Sequence, residues 1–308
     1  MSAPAVRCEN LSRWYGEVQG LSGLTATLSG GVVGLLGPNG SGKSTFMRLL
    51  TGLIRPSRGY VELFGTRMGP DSHEVFRRVG HAPGEDTHFE TETARVFLQM
   101  LAALGGARGK DADTSVMRAL EEVDMQDKAD VRLDQMSKGM RQRVKVAQAL
   151  LFDPELLLLD EPLNGMDPVS RRKVMDLVRR WGSEGRTVVL ASHVLHEVED
   201  VTDRVLMLHH GRLLAEGRLA EIRDLVDRKP RRVTLAGPEL RATAAEMLAA
   251  DLVSGLSFEG DRLHLETSDL GALLDRLQQA GREGRVAELD IEDESLEAVF
   301  DLLVGGAP

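Results

Sequence analysis

The chain has 308 residues, 42% hydrophobic and 28% charged, so it can bury a large core and form one large domain plus a small one. Its longest apolar runs fall far short of the roughly 20 residues that cross a bilayer, the N-terminus lacks the apolar core of a signal peptide, and Cys8 is the only cysteine. The formal net charge of −10 comes mostly from residues 230–308, with seven arginines against sixteen acidic residues, which argues against a nucleic-acid partner. We therefore expect a globular, cytoplasmic protein with no membrane span.

The first clear element is an apolar strand at 32–36, followed by GPNGSGKST at 37–45 and a helical run at 45–53. This run fits the phosphate-loop pattern G-x-x-x-x-G-K-[ST], and its strand and helix are the context that the mechanism requires. Lys43 is expected to reach the β and γ phosphates, and the Ser44 hydroxyl to ligate Mg²⁺. The expected nucleotide-binding residues of the loop are Gly37, Pro38, Asn39, Gly40, Ser41, Gly42, Lys43, Ser44 and Thr45.

A second strand, 156–159, consists of four leucines and ends in two acids, Asp160 and Glu161. Ligands of open α/β sheets sit at the carboxyl ends of the strands, so both carboxylates are expected beside the phosphate loop. We expect Asp160 to hold Mg²⁺ and Glu161 to orient and polarise the attacking water.

Just before this strand, MSKGMRQR at 136–143 resembles the signature of ATP-binding cassette (ABC) ATPases. The resemblance covers roughly residues 5–225 and implies an α/β P-loop NTPase fold with a helical subdomain at about 85–150. The family commonly has LSGGQ here, whereas this chain has Met136, Ser137, Lys138, Gly139 and Met140. The resemblance implies that Ser137, Lys138, Gly139 and Met140 act in trans, on ATP held by a partner subunit's phosphate loop.

Three further residues match landmarks of the same family. Asp167, in Asn-Gly-Met-Asp, resembles the D-loop that contacts the partner subunit. His193 follows a predicted strand at 187–191 and matches the switch histidine that senses the γ-phosphate. Tyr15 resembles the aromatic residue that stacks on adenine, with plain packing of the ring as the alternative.

One landmark departs from the family. The position at which the family usually has a Q-loop glutamine is Gly84, which has no side chain to offer to Mg²⁺. As a hypothesis, Glu85 supplies that oxygen after a slight shift in register.

After a strand at 204–208, residues 209–212 read as a hairpin turn, and 227–232 as a linker. We place the ATPase domain at 1–228 and a small acidic α+β domain at 229–308. The second domain is predicted to contain a strand from Val233, helices at 242–252 and 270–279, a strand at 262–267 and a last helix at 295–303. It resembles the appendage of ATPases that pair with ABC-2 type permeases, which are mostly exporters.

These features predict an ATPase that binds ATP and Mg²⁺ as a homodimer, or beside a paired ATPase subunit, with ATP at the interface. Its expected partner is an integral membrane permease encoded as a separate chain, which would hold it at the cytoplasmic face of the membrane. The alternative is a soluble ABC-type ATPase that acts without a permease, although such proteins usually carry two cassettes or long coiled coils. A GTPase or a small-molecule kinase is disfavoured by the signature run, by His193, and by the lack of an Asn-Lys-x-Asp motif.

Overall fold

The computed structural model describes residues 3–69, 72–85, 91–222 and 231–291. Contacts between residues divide the chain into two compact units, Met1–Leu219 and Ala220–Pro308. No helix in the described ranges is both long and apolar enough to pass through a membrane.

The centre of the first unit is a six-stranded sheet in the order β10-β9-β3-β8-β7-β6. Its strands are β3 (Gly31–Leu36), β6 (Val79–Ala82), β7 (Leu156–Asp160), β8 (Thr187–Ser192), β9 (Arg204–His209) and β10 (Arg212–Arg218). Strands β6, β7, β8, β3 and β9 are parallel, and β10 is added antiparallel through the predicted hairpin turn after His209. Since β7 and β8 are buried along their whole length, their near-continuous apolar sequences are those expected of a sheet covered on both faces.

The helices of this unit carry apolar stripes that pack on the sheet and on one another. They are α1 (Lys43–Leu50), α2 (His73–Phe76), α3 (Ala94–Leu104), α4 (Lys110–Glu122), α5 (Lys138–Leu150), α6 (Pro168–Ser183) and α7 (Leu195–Glu199). One core cluster joins α3, α4, α5 and α6 to one face of the sheet, and a second joins α1 to the other face. Helix α1 ends at Leu50, earlier than predicted, because Gly52 adopts a left-handed conformation (φ 70°) that no helix continues through.

A second, antiparallel sheet was not predicted from the sequence. It has the order β2-β1-β4-β5, with β1 (Val6–Tyr15), β2 (Val18–Leu28), β4 (Arg58–Leu63) and β5 (Thr66–Arg67). Its inward residues, such as Val6, Leu24 and Val61, close the core on the side of α1. The sheet supplies Tyr15 and Gly20 to the neighbourhood of the phosphate loop.

The second unit has its own core and a βαββαβ order, which is the ferredoxin-like arrangement. Its elements are β11 (Arg231–Ala236), α8 (Leu240–Ala249), β12 (Gly255–Glu259), β13 (Arg262–Thr267), α9 (Leu270–Arg282) and β14 (Glu288–Ile291). All pairings in the sheet, ordered β12-β13-β11-β14, are antiparallel. The predicted linker was wrong at its end, because Arg231 and Arg232 pair with β13 as part of β11; the predicted helix at 295–303 lies outside the described residues.

Candidate active site

The phosphate loop is shaped by three glycines from distant parts of the chain. Gly42 caps α1 with φ 107°, and a Cβ there would stand 2.7 Å from the Gly20 carbonyl oxygen and 3.3 Å from the Gly211 Cα. Gly211 is also hydrogen-bonded to the segments that contain the other two glycines. Its amide donates to the Ser41 carbonyl at 2.9 Å, and its carbonyl accepts from the Ser22 amide at 2.7 Å. Only backbone fits where these segments meet, so the loop is held open at the N-terminus of α1, where unpaired amides and the helix dipole favour anions.

Lys43 is the buried cation of this loop, with 6% of its surface exposed. Its ammonium donates to the carbonyls of Gly37 (2.6 Å) and Pro38 (3.2 Å) and lies 3.6 Å from Glu161 Oε1. Burial lowers the pKa of Lys43, and the nearby carboxylates of Glu161 and Asp160 oppose that shift. A phosphate group entering the loop would provide further negative charge beside the ammonium, in addition to the Glu161 carboxylate.

The order of the parallel strands brings three predicted residues to one edge of the sheet. The phosphate loop follows β3, His193 follows the adjacent β8, and Glu161 follows β7 on the far side of β8. Nδ1 of His193 lies 2.9 Å from Oε2 of Glu161. Glu161 therefore bridges Lys43 and His193, although 32 residues separate it from His193 in sequence.

The backbone of Glu161 is in the left-handed region (φ 50°), which is uncommon for a residue with a side chain. Its amide donates to the Ala191 carbonyl, and its carbonyl accepts from the Gln142 side chain at 2.9 Å. Hydrogen bonds with Ala191 and Gln142 thus hold Glu161 in a backbone conformation that costs energy, and such strained residues are often found at functional sites.

Asp160 is buried, with 5% of its surface exposed, and its Oδ1 has no hydrogen-bond partner within the described ranges. An unsatisfied buried carboxylate oxygen is costly, and a bound cation would satisfy it. Ser44 stands at the start of α1, the helix that follows the loop. Oxygen donors of this kind are those that Mg²⁺ prefers, so the residues present fit that ion.

Glu85 has a different contact from the one that its predicted metal role requires. Its side chain is 69% exposed and forms an ion pair with Arg48 on α1. A role for Glu85 at Mg²⁺ stays a prediction and would require this ion pair to open. Gly84, in contrast, lies against Asp160: a Cβ on it would stand 3.3 Å from Asp160 Cγ and 3.4 Å from Oδ2.

The signature residues form the N-terminus of α5, next to the D-loop. Ser137 caps the helix, its hydroxyl oxygen accepting from the Met140 amide at 3.2 Å. A Cβ on Gly139 would stand 3.1 Å from the Gly165 carbonyl oxygen, and the Lys138 ammonium donates to Asn164 Oδ1 at 3.3 Å. Their action in trans on a partner subunit's ATP stays a prediction.

Two other predicted residues occupy defined positions. Asp167 caps α6, its Oδ1 accepting from the amides of Val169 (3.1 Å) and Ser170 (3.0 Å). The Tyr15 ring is 40% exposed at the end of β1 and touches Gly20, where a Cβ would stand 2.7 Å from the ring and 3.3 Å from the Thr45 methyl. The ring therefore lies near Thr45 at the end of the phosphate loop, with the Arg13 guanidinium 4.9 Å from the ring centroid, and stacking on adenine stays a prediction.

Sequence reasoning missed two buried polar residues on α5, Gln142 and Lys145. Both donate hydrogen bonds to backbone carbonyls near Asp160 and Glu161. Gln142 donates to the carbonyl of Glu161, and Lys145 donates to the carbonyls of Gly84 and Glu85. Their signal was available, because an amide and an ammonium interrupt the apolar face of a helical run at positions three residues apart.

Comparison with known proteins gives a consistent result. Residues 21–164 match the family described as ABC transporter. The chain is 32% identical to the daunorubicin/doxorubicin resistance ATP-binding protein DrrA of Streptomyces peucetius, over 98% of this chain and 92% of that protein. It is 36% identical to the bacitracin transport ATP-binding protein BcrA of Bacillus licheniformis, over 68% of this chain and 69% of that protein.

Solved structures agree on the fold. One described as the ATP-binding subunit of an ABC transporter superposes with a TM-score of 0.65 and 27% identity, covering 72% of this chain and 93% of that one. The cassette MJ0796, solved as a dimer in a post-hydrolysis state with ADP and Pi, superposes with a TM-score of 0.64 and 24% identity, covering 70% of this chain and 98% of that one.

Proposed function

This chain belongs to the ABC transporter family as an ATP-binding subunit with ATPase activity, and we propose that two such subunits close around ATP and Mg²⁺ to drive a separate membrane permease. The observation that carries the proposal is the position of Glu161, within reach of both Lys43 and His193 at the edge of the sheet. We keep the division into an ATPase domain at 1–228 and an acidic domain at 229–308 as part of it.

The chemistry follows from these contacts. Lys43 would exchange its loop carbonyls for the β and γ phosphates, which are stronger acceptors for a buried ammonium. Glu161 is a carboxylate that can accept a proton from an attacking water, and the contact with His193 fixes its orientation. His193 would then report on the γ-phosphate from its place beside Glu161.

The residues that would hold the metal are Ser44 and Asp160, with Glu85 as a further candidate after release from Arg48. Mg²⁺ bound there supplies charge neutralisation for the phosphates. Asp160 offers the buried unpartnered oxygen, and Ser44 the hydroxyl at the start of α1.

The paired arrangement is supported by the exposed N-terminus of α5. Ser137 and Lys138 are exposed to solvent, and Asp167 is exposed at the start of α6. Amides at the start of α5 can bind a phosphate only if another molecule brings one to them. A second subunit's ATP fits that requirement.

An exposed apolar stripe on α3 supports docking to a permease. Val96, Met100 and Leu104 recur every four residues, so they share one face of the helix, and they are 37%, 41% and 85% exposed. Exposed apolar groups aligned in this way mark interaction surfaces. The names of the two relatives, which refer to transport of bacitracin and to resistance to daunorubicin and doxorubicin, support a permease as the partner and export as the direction.

The pairing is tested with Glu161→Gln, which should bind ATP and stall before hydrolysis. Size-exclusion chromatography with light scattering should show a monomer without nucleotide and a dimer with ATP and Mg²⁺. A variant that binds ATP tightly yet stays monomeric would contradict the paired arrangement and leave the ATPase assignment intact.

Docking is tested by membrane sedimentation from cells that express the permease. Met100→Glu should release the protein from membranes, whereas Leu248→Glu, an equally drastic change at a 51% exposed residue of α8, should not. If Met100→Glu sediments as wild type does, the proposed docking surface is wrong. If wild type itself does not sediment, an ATPase that acts without a permease would be the better description.

A further inference from the structure

One face of α5 is polar although two of its three polar residues, Gln142 and Lys145, are buried. Gln142 donates to the Glu161 carbonyl at 2.9 Å, Lys145 donates to the carbonyls of Gly84 and Glu85 at 3.4 Å each, and Gln148 donates to the His81 carbonyl at 3.2 Å. All of these acceptors lie on β6, at its end, or just after β7. A single helix therefore holds the backbone on both sides of the acid pair.

Lys145 is the residue on this face that most needs an explanation. It is 1% exposed, and its neighbours on the helix, Val144 and Val146, are fully buried. Taking an ammonium out of water is unfavourable unless other groups replace the lost hydration. An apolar residue would fill the same position without that cost, so the lysine is explained better by its contacts than by packing.

The backbone that Lys145 contacts lies beside the candidate metal carboxylate. A Cβ on Gly84 would stand 3.3 Å from Asp160 Cγ and 3.4 Å from Oδ2, so a side chain has little room between the Gly84 backbone and Asp160. The loop can approach so closely because Gly84 has no side chain. The distance between the loop and Asp160 then depends on the contacts of the loop carbonyls, and Lys145 donates to two of these carbonyls.

Resting on the proposed function, we propose that Lys145 is a positioning residue that links the signature helix to the metal site, by holding the Gly84–Glu85 backbone against Asp160. Helix α5 is capped by the signature residue Ser137 and carries Lys145 about two turns later. A displacement of the helix by a partner's ATP would move the Gly84 backbone and the Asp160 carboxylate with it. The lysine thereby performs through the backbone what a side chain at residue 84 cannot perform.

The test compares Lys145→Met with Arg143→Met. Methionine fills a similar volume without the charge, and Arg143 is a matched control because it lies on the same helix and donates to a different carbonyl, that of Asp124. The measurement is the Mg²⁺ concentration needed for half-maximal binding of a fluorescent ATP analogue, with the Mg²⁺ dependence of ATPase activity beside it. Because removing groups that support metal ligands costs roughly 10–100-fold in metal affinity, we expect a shift of about tenfold or more in Lys145→Met, close to none in Arg143→Met, and partial recovery in Lys145→Arg.

A Mg²⁺ dependence unchanged in a folded Lys145→Met would overturn the proposal, as would an equal shift in Arg143→Met. If Lys145→Met does not fold, Gly84→Ala tests the same contact from the loop, because its added methyl would stand 3.3 Å from Asp160 Cγ and so the loop or the carboxylate must shift. Here too a wild-type Mg²⁺ dependence would overturn the proposal. Failure at this step leaves the ATP-dependent pairing of Glu161→Gln unaffected, so the inference and the proposed function fail separately.

Discussion

Replacing Lys43 with methionine separates the effect of its buried charge on stability from its contribution to nucleotide binding. Because burial lowers the pKa of Lys43 below its unfolded value, its charged form costs stability at neutral pH. When folding lowers the pKa of a group, the protein has its full stability above the pKa of the unfolded state and loses stability as the pH falls through the pKa of the folded state. Wild type should therefore become more stable as the pH rises toward the pKa of lysine in the unfolded chain. Lys43→Met should lose this alkaline gain.

The size of the effect follows from the contacts that are removed. The lysine gives up two hydrogen bonds to carbonyls, and hydrogen bonds of charged groups contribute about 1.5–3 kcal/mol each, whereas the desolvation of an ammonium costs several kcal/mol. Glu161 keeps its contact with His193, so the substitution does not leave an isolated charge. Without nucleotide, we expect the variant to be within about 2 kcal/mol of wild type, on the stable side.

With ATP bound, wild type should be more stable than the variant. ATP at a hundred times its Kd stabilises wild type by about 2.7 kcal/mol, which raises the Tm of a unit of this size by roughly 5–11 °C. The variant should show no such shift, because the phosphate loop has lost its cation. The assay is tryptophan fluorescence during thermal unfolding, since Trp14 and the buried Trp181 both belong to the unit Met1–Leu219.

Lys173→Met is the control for this experiment, because Lys173 is an exposed lysine paired with Asp124 on the surface. It should keep the wild-type shift with ATP. A wild-type shift in Lys43→Met would refute the placement of Lys43 at the phosphates. A loss of more than about 3 kcal/mol without nucleotide would refute the argument that burial of the charge outweighs its contacts.

Three further predictions follow from the geometry. Glu161→Gln should lower kcat by roughly 10²–10⁴ with little change in ATP affinity, while Glu155→Gln, at the other end of β7, should leave kcat unchanged; a normal kcat in Glu161→Gln would mean that another group activates the water. Phe46→Ala should cost about 3–5 kcal/mol in urea unfolding, because Phe46 is fully buried in the core behind the phosphate loop, and a cost below about 1 kcal/mol would show that this core repacks. Asp167→Ala should destabilise the start of α6. Because the hydrogen bonds of Ser170 lower the pKa of Asp167, the loss of stability relative to wild type should be largest above the pKa of the unfolded state and should fade as the pH falls through the pKa of the folded state. A loss of stability that does not depend on pH would contradict this cause.

The sequence predicted the central sheet well because its strands are continuous apolar runs next to motifs with a known context. The strands at 32–36, 156–159, 187–191 and 204–208 were confirmed to within a residue at either end. The antiparallel sheet was missed for a physical reason. Strand β1 contains Arg7, Glu9 and Arg13, and its pairing with β2 shifts register between Cys8 and Leu11 and twice more before Trp14, so no regular alternation marks it.

The candidate site divides in the same way. The positions of Lys43 and Glu161 at the carboxyl edge of the sheet could be predicted because each lies within a local motif, and the order of the strands brings them together. Gly84 and Asp160 lie 76 positions apart in the sequence, and Lys145 and Gly84 lie 61 positions apart. A single sequence carries no local signal for such contacts, so they appear only once the chain is folded.

The meeting of Gly20, Gly42 and Gly211 has a consequence for how the protein is made. The hairpin turn that supports the phosphate loop is synthesised long after the loop itself, so a ribosome-bound chain that ends before Gly211 has the nucleotide motif without its support. We expect nascent chains truncated at residue 200 not to bind ATP, and chains extended past residue 222 to bind it once both have left the exit tunnel. Enzymatic competence would thus be a late event of translation, which protects the cell from an ATPase that is only half built.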